Sequence, residues 1–266
     1  MMRIKAAVFD LDDTVLRDDL SISQYTRSVF HRLHSKGFIF VAASGRTQMS
    51  MKPFVDFLGC TSLYISCNGA EIWDSSTDQL LHRETFSAEL GREIARFGKE
   101  YSCYAQTYSE DRFFFNEYSV YSERYSASSM LPGEYVGDLE SYIREPRSKI
   151  LMMADEQKIS QMMKDAAARF VGRVSVTCSK PYFLEFTPLL ATKGIALGRA
   201  AALLGLTESD FIAFGDSLND AAMLRAAGFS VAVANARSEV IDLCSDTCLS
   251  NMEDGVARYL DSVITD

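Results

Sequence analysis

With 266 residues, 47% of them hydrophobic and 24% charged, the chain has the composition of a globular protein built as one large domain or two small ones. No stretch approaches the ~20 consecutive apolar residues that span a bilayer. A net charge of −9 without a basic cluster argues against a nucleic-acid groove. The opening run Met1–Phe9 is too short for a signal peptide, and Asp10, Asp12 and Asp13 stand where its cleavage site would lie. It therefore reads as a buried strand, and the protein as cytoplasmic. The six cysteines are scattered and several sit in apolar runs, where cysteine acts as a small hydrophobe; Cys244 and Cys248 lack the further ligands of a zinc site. With three dispersed histidines, any chemistry here is expected to run on carboxylates.

In chain order, short apolar runs alternate with helical patterns, as in a parallel sheet covered on both faces. A strand is expected over Ile4–Phe9, a helix from about Ser23 to Lys36 stopped by Gly37, then strands over Phe38–Ala43 and Leu63–Ser66. The middle of the chain differs. Helices over Ala88–Tyr101 and Glu156–Phe170 accompany strands over Cys103–Tyr108, Arg112–Asn116, Lys149–Met153, Val174–Cys178 and Tyr182–Phe186, whose alternation predicts antiparallel pairing. Beyond it come a helix N-capped by Thr192 and running toward Gly205, strands over Phe211–Phe214 and Ser230–Val233, and a helix after Asn219. The fold class is thus α/β, a Rossmann-like parallel-sheet core of residues 1–84 and 188–266 with an inserted α+β domain at 85–187.

Three of the buried strands end in polar clusters: Asp10-Leu11-Asp12-Asp13-Thr14, Ser44-Gly45-Arg46, and Gly215-Asp216-Ser217-Leu218-Asn219-Asp220. Ligands of open parallel sheets bind beyond the carboxyl ends of the strands, so the clusters are expected to converge. Asp10, Asp12, Asp216 and Asp220 could not sit together unpaired in a partly buried site. A divalent cation resolves the conflict, and oxygen ligands without His or Cys favour magnesium. Ser44 and the backbone amides of Gly45 and Leu11 are candidate donors to a phosphoryl oxygen. Lys193 adds a point charge beside helix-terminal amides, and Arg46 is a further phosphate-binding candidate, a weaker one because it is expected to point outward.

These motifs resemble, in order, the four motifs of the haloacid dehalogenase-like phosphatases: DxDxT at Asp10–Thr14, the second at Ser44–Arg46, the third at Lys193, and GDxxND at Gly215–Asp220. The long insert and the run Cys67-Asn68-Gly69-Ala70 resemble the Cof-type subgroup, which carries an α/β cap. One departure is Asp13, where this branch usually has Gly. The resemblance implies a magnesium-dependent phosphatase with Asp10 as nucleophile and Asp12 as general acid and base. It also implies magnesium held by Asp10, the Asp12 carbonyl and Asp216. Asn219 and Asp220 would support the metal and orient Lys193, and Ser44 and Lys193 would stabilise the transferring group. Asn68, near the cap hinge, is a candidate contact to the leaving group. Tyr104, Tyr108, Arg112, Tyr118 and Tyr182 are weaker pocket candidates, since aromatics on strands more often pack.

The expected partner is a small phosphorylated molecule (a sugar phosphate, nucleotide or phosphorylated cofactor), with no nucleic acid or membrane, and the protein a monomer or small homo-oligomer. Two alternatives stand beside hydrolysis. A phosphomutase would pass the phosphoryl group back to its substrate. A phospho-accepting signalling module would not need Asp12 or a large insert.

Overall fold

The computed structural model describes residues 4–109 and 112–264. Its first half-sheet forms from β1 (Ala6–Phe9), α1 (Gln24–Ser35), β2 (Ile39–Ala43), α2 (Gln48–Leu58) and β3 (Thr61–Ser66), then turns back through β4 (Glu71–Asp74) and β5 (Leu80–Arg83). All four residues of β1 are buried: Ala7 and Phe9 face one apolar layer with Phe30 and Phe40, Ala6 and Val8 the other with Leu197 and Ala200. That two-sided burial is why the strand reads as an unbroken apolar run rather than an alternating one. Ser23 caps α1 by accepting from the Thr26 amide, and Gly37 follows with φ 88° where the sequence places the helix stop.

Next come α3 (Ala88–Glu100), β6 (Tyr104–Ser109), β7 (Arg112–Phe115), α4 (Val120–Ser129), β8 (Gly133–Tyr135), α5 (Leu139–Tyr142), β9 (Ile150–Met153), α6 (Glu156–Arg169), β10 (Val174–Thr177) and β11 (Phe183–Pro188). Their strands form a separate sheet in the order β10-β11-β9-β6-β7-β8. Pairing is antiparallel as expected except at β7–β8, which is parallel because α4 crosses over between them. The chain then returns through α7 (Lys193–Leu203), β12 (Phe211–Gly215), α8 (Ala221–Ala226), β13 (Phe229–Val233), α9 (Ser238–Ile241), β14 (Asp246–Cys248) and α10 (Gly255–Val263).

The large sheet runs β14-β13-β12-β1-β2-β3-β4-β5, parallel from β14 to β3 and antiparallel at β4 and β5. The fold is therefore a Rossmann-like α/β core carrying an inserted α+β cap. β1, β2 and β12 lie side by side at its centre, so the three polar clusters leave the sheet at one edge.

Gly69 makes a fourth junction possible. A Cβ there would lie 2.4 Å from the Thr192 carbonyl oxygen, and its φ of 106° is open to glycine alone. The segment after β3 can therefore rest directly on the start of α7. Asn68 beside it is also left-handed, with φ 57°. Among the described residues no helix is long and apolar enough to cross a membrane, and all six cysteines are free.

Candidate active site

The clusters meet in a cavity of about 440 Å³ between core and cap. From the core it is lined by Asp10, Asp12, Ser44, Gly45, Arg46, Asp216 and Asn219, and from the cap by Tyr121, Tyr125, Lys149, Lys180, Tyr182 and Glu185. Asp10, at the carboxyl end of β1, is almost fully buried. Its Oδ1 accepts from the Leu11 amide at 2.8 Å and from Lys193 Nζ at 2.9 Å, which leaves Oδ2 without such a contact among the described residues. The Leu11 amide, expected to face a phosphoryl oxygen, thus serves the Asp10 carboxylate, because the chain turns immediately after the strand.

Lys193 has no exposed surface and also donates to Asp220 Oδ1 at 2.6 Å. Burial opposes its charge, but Asp10 and Asp220 hold the ammonium well above the ordinary lysine range. Asp220 Oδ2 accepts from the backbone amides of Asp216 and Ser217, each at 3.1 Å. With both oxygens so engaged, Asp220 orients Lys193 and shapes the loop after β12. Thr14, which the sequence reading left without a role although it lies in the first motif, donates its hydroxyl to Asp216 Oδ1 at 3.0 Å.

Arg46 corrects an expectation. Far from pointing outward, it turns in and clamps Asp12 with two bonds of 2.7 Å, Nε to Oδ2 and Nη2 to Oδ1. The guanidinium lies 5.1 Å above the Phe54 ring and also reaches Ser50 and the Ser128 carbonyl of the cap. Burial would push the Asp12 carboxyl up, but the bonds and charge of Arg46 outweigh it and hold that carboxyl below its usual range. Ser44 is buried, and its hydroxyl accepts from the Arg46 amide at 3.1 Å.

Asn68 is brought close but not into the cavity lining. Its Nδ2 donates to Glu185 Oε2 at 3.1 Å, and its Oδ1 accepts from Asn219 Nδ2 at 3.0 Å. Asn219 accepts in turn from the Ser217 hydroxyl at 2.9 Å. Of the aromatic candidates, Tyr182 lines the cavity. Tyr104 packs inside the cap, Tyr108 and Arg112 line a different cleft, and Tyr118 stacks on Tyr135 at the surface. Tyr121 and Tyr125 reach the cavity instead from α4, a helix whose weak apolar periodicity hides it in the sequence.

Asp13 sits at φ 57°, the left-handed conformation that explains a preference for Gly there. Asp tolerates this region better than most residues, and the Asn235 side chain bonds its carbonyl at 2.7 Å.

Of the four carboxylates here, Lys193 pairs with Asp10 and Asp220 and Arg46 with Asp12, while Asp216 accepts from the neutral Thr14 hydroxyl, so two cations face four carboxylates. Asp10, Asp216 and Asp220 each bring a carboxylate oxygen within 4.8 Å of the others. Burial, then the neighbouring carboxylates, raise Asp10 well above its usual range despite Lys193, and push Asp216 up to about 7. The residues thus fit one divalent cation with an all-oxygen ligand set. Asp216 binds a proton more tightly folded than unfolded, so its contribution to stability is present below about pH 4 and is lost as the pH rises through about 7. A divalent cation bound by these carboxylates would replace that proton. The rise in thermal midpoint on adding magnesium should be small at pH 5 and grow to a plateau above about pH 7.5; a rise of equal size at both pH values would contradict the assignment.

A sequence model of haloacid dehalogenase-like hydrolases matches residues 7–260. The 5-amino-6-(5-phospho-D-ribitylamino)uracil phosphatase YcsE of Bacillus subtilis (strain 168) is 28% identical over 264 residues, covering 97% of this chain and 94% of its own. The HMP-PP phosphatase of Cronobacter sakazakii (strain ATCC BAA-894) is 24% identical over 237 residues, 89% and 86% of the two chains. Among solved structures, a haloacid dehalogenase-like hydrolase from Bacteroides thetaiotaomicron superposes with a TM-score of 0.89 at 26% identity, over 98% of this chain and 100% of that one. With the motifs assembled around one acidic cavity and the match running nearly end to end, the chain belongs to the haloacid dehalogenase-like hydrolase family.

Proposed function

We propose that the protein hydrolyses small phosphomonoesters through a phospho-aspartate on Asp10, in a core of residues 1–84 and 188–266 closed by a cap of residues 85–187. The observation that carries the reading is the state of Asp10: one oxygen held by Lys193 and the Leu11 amide, the other uncommitted, at the floor of a cavity the cap encloses. The uncommitted oxygen bonds to phosphorus as the bond from phosphorus to the ester oxygen breaks, and Asp12 gives the departing alkoxide oxygen a proton. Asp12 then takes a proton from water, whose oxygen attacks phosphorus, releases inorganic phosphate and restores the Asp10 carboxylate. Lys193 and Ser44 stabilise charge on the transferring oxygens. Magnesium, held by Asp10, Asp216 and the Asp12 carbonyl, would supply the remaining charge neutralisation.

Arg46 adds a condition to this scheme. While it clamps Asp12, that carboxyl stays ionised and cannot act as an acid. An incoming phosphoryl group competes for the guanidinium and frees Asp12 to carry a proton. On the cap side, Tyr121, Tyr125 and Tyr182 favour a leaving group with a flat or apolar face. This suits phosphorylated heterocycles such as the ribitylaminouracil phosphate in the name of the Bacillus relative.

The test is free-phosphate release from a panel of sugar phosphates, nucleotides and 5-amino-6-(5-phospho-D-ribitylamino)uracil, with magnesium and then with EDTA. Release from a subset, abolished by EDTA, is expected. No release from any compound by folded, magnesium-bound protein would overturn the reading, and isomerised product without free phosphate would replace it with a mutase.

A further inference from the structure

Lys149 and Glu185 are charged residues buried in the cap, with side chains only 4% and 3% exposed. Lys149 directly precedes β9, and Glu185 lies on the adjacent β11, where it pairs with Leu151. Burying two charges costs several kcal/mol per ion before their attraction is counted, and a well-packed apolar pair usually serves a domain's stability as well or better. The further bonds of this pair run to the core. Besides Glu185 Oε1, Lys149 Nζ bonds the Gly45 carbonyl oxygen at 2.7 Å, between Ser44 and Arg46. Glu185 Oε2 accepts from Asn68, which accepts from Asn219. One cap-borne ion pair is thus hydrogen-bonded to the loop after β2 and, through Asn68, to the loop after β12. Moving the cap away would break both bonds and leave two charges without their core partners.

We infer that Lys149 and Glu185 are a positioning pair by which the cap holds the Ser44–Arg46 loop and the Asn68–Asn219 bridge of the core in place. The inference rests on the phosphatase reading, but the pair itself touches neither nucleophile nor proton donor. It acts through Gly45 and Asn68. The lysine is further confined by the Tyr108 ring, whose centroid lies 5.8 Å from Nζ.

The test is K149M/E185L, which removes both charges together and leaves no orphan ion. It is compared with wild type, Asn68→Ala and the triple variant, on a phosphomonoester that wild type hydrolyses. Displaced loops should lower kcat by about 10- to 100-fold, weaken inhibition by inorganic phosphate by about tenfold, and leave the thermal midpoint close to wild type. Adding Asn68→Ala should cost little more, because both changes cut one chain of bonds. Hydrogen exchange in residues 44–47 and 66–70 should rise by about tenfold. Wild-type kcat, effects that multiply, or unchanged exchange in both segments would each overturn the inference.

Should K149M/E185L fail to fold, K149M/E185Q keeps an acceptor for Asn68. It should still lose about fivefold or more in kcat, and wild-type kcat would overturn the inference. A wild type that releases phosphate beside unaltered pair variants defeats only this inference. A wild type without turnover defeats the phosphatase reading, and the exchange measurement still decides the role of the pair.

Discussion

Asp10→Asn should abolish phosphate release, with kcat falling by at least about 10⁴-fold, the scale seen when a covalent nucleophile is removed. The substitution is nearly isosteric, and the amide oxygen can still accept from Lys193 and the Leu11 amide as Oδ1 does. It also removes a charge that burial and three neighbouring carboxylates oppose. The fold should therefore survive, with a thermal midpoint in EDTA no lower than wild type by more than a few degrees. The rise on adding magnesium should shrink, because one of the oxygens that would hold the cation is replaced by an amide nitrogen. Steady-state assay and thermal scans on one preparation decide the matter. Residual turnover within tenfold of wild type, in a folded variant, would place the nucleophile elsewhere.

The second large effect is on stability. Lys193 is wholly buried and bonded to Asp10 and Asp220, the latter equally buried. Lys193→Met leaves two buried carboxylates without their counter-charge. Breaking a buried ion pair from one side costs about 3–5 kcal/mol, a fall on the order of 10 °C in thermal midpoint for a chain of this size. The loss should ease as the pH drops, since the stranded carboxyls can then take up protons. Adding Asp220→Asn should recover part of the stability and none of the activity, because the charge proposed to meet the transferring phosphoryl group is still missing. A single variant as stable as wild type at pH 8 would mean that the ammonium is not the counter-charge of this cluster.

Much of this was legible in the chain itself, for reasons of local chemistry. An unbroken apolar strand ending in Asp-x-Asp requires no tertiary information to be read as a buried parallel strand with carboxylates at its mouth. Gly37, Thr192 and Gly205 mark helix ends because left-handed backbone and N-cap hydrogen bonds are properties of single residues. The conflict among Asp10, Asp12, Asp216 and Asp220 followed from charge alone, once three strand ends were assumed to converge. What escaped were elements with weak or divided signals. The helix Gln48–Leu58 carries Pro53 inside it, and Val120–Ser129 has almost no apolar stripe.

Side-chain direction was beyond the sequence entirely. Whether Arg46 turns outward or onto Asp12 depends on Phe54 beneath it and the Ser128 carbonyl 82 positions away. The bond from Lys149 to Gly45 spans 104 positions, and that from Asn68 to Glu185 spans 117. Such contacts carry no pattern along the chain, because they exist only once the cap sheet lies over the carboxyl ends of the core strands. The sequence by itself determined the residues that can do chemistry and the strand ends that hold them. The tertiary structure decided which charges neutralise each other, because burial makes an unpaired charge too costly to keep and a folded chain offers each one few partners.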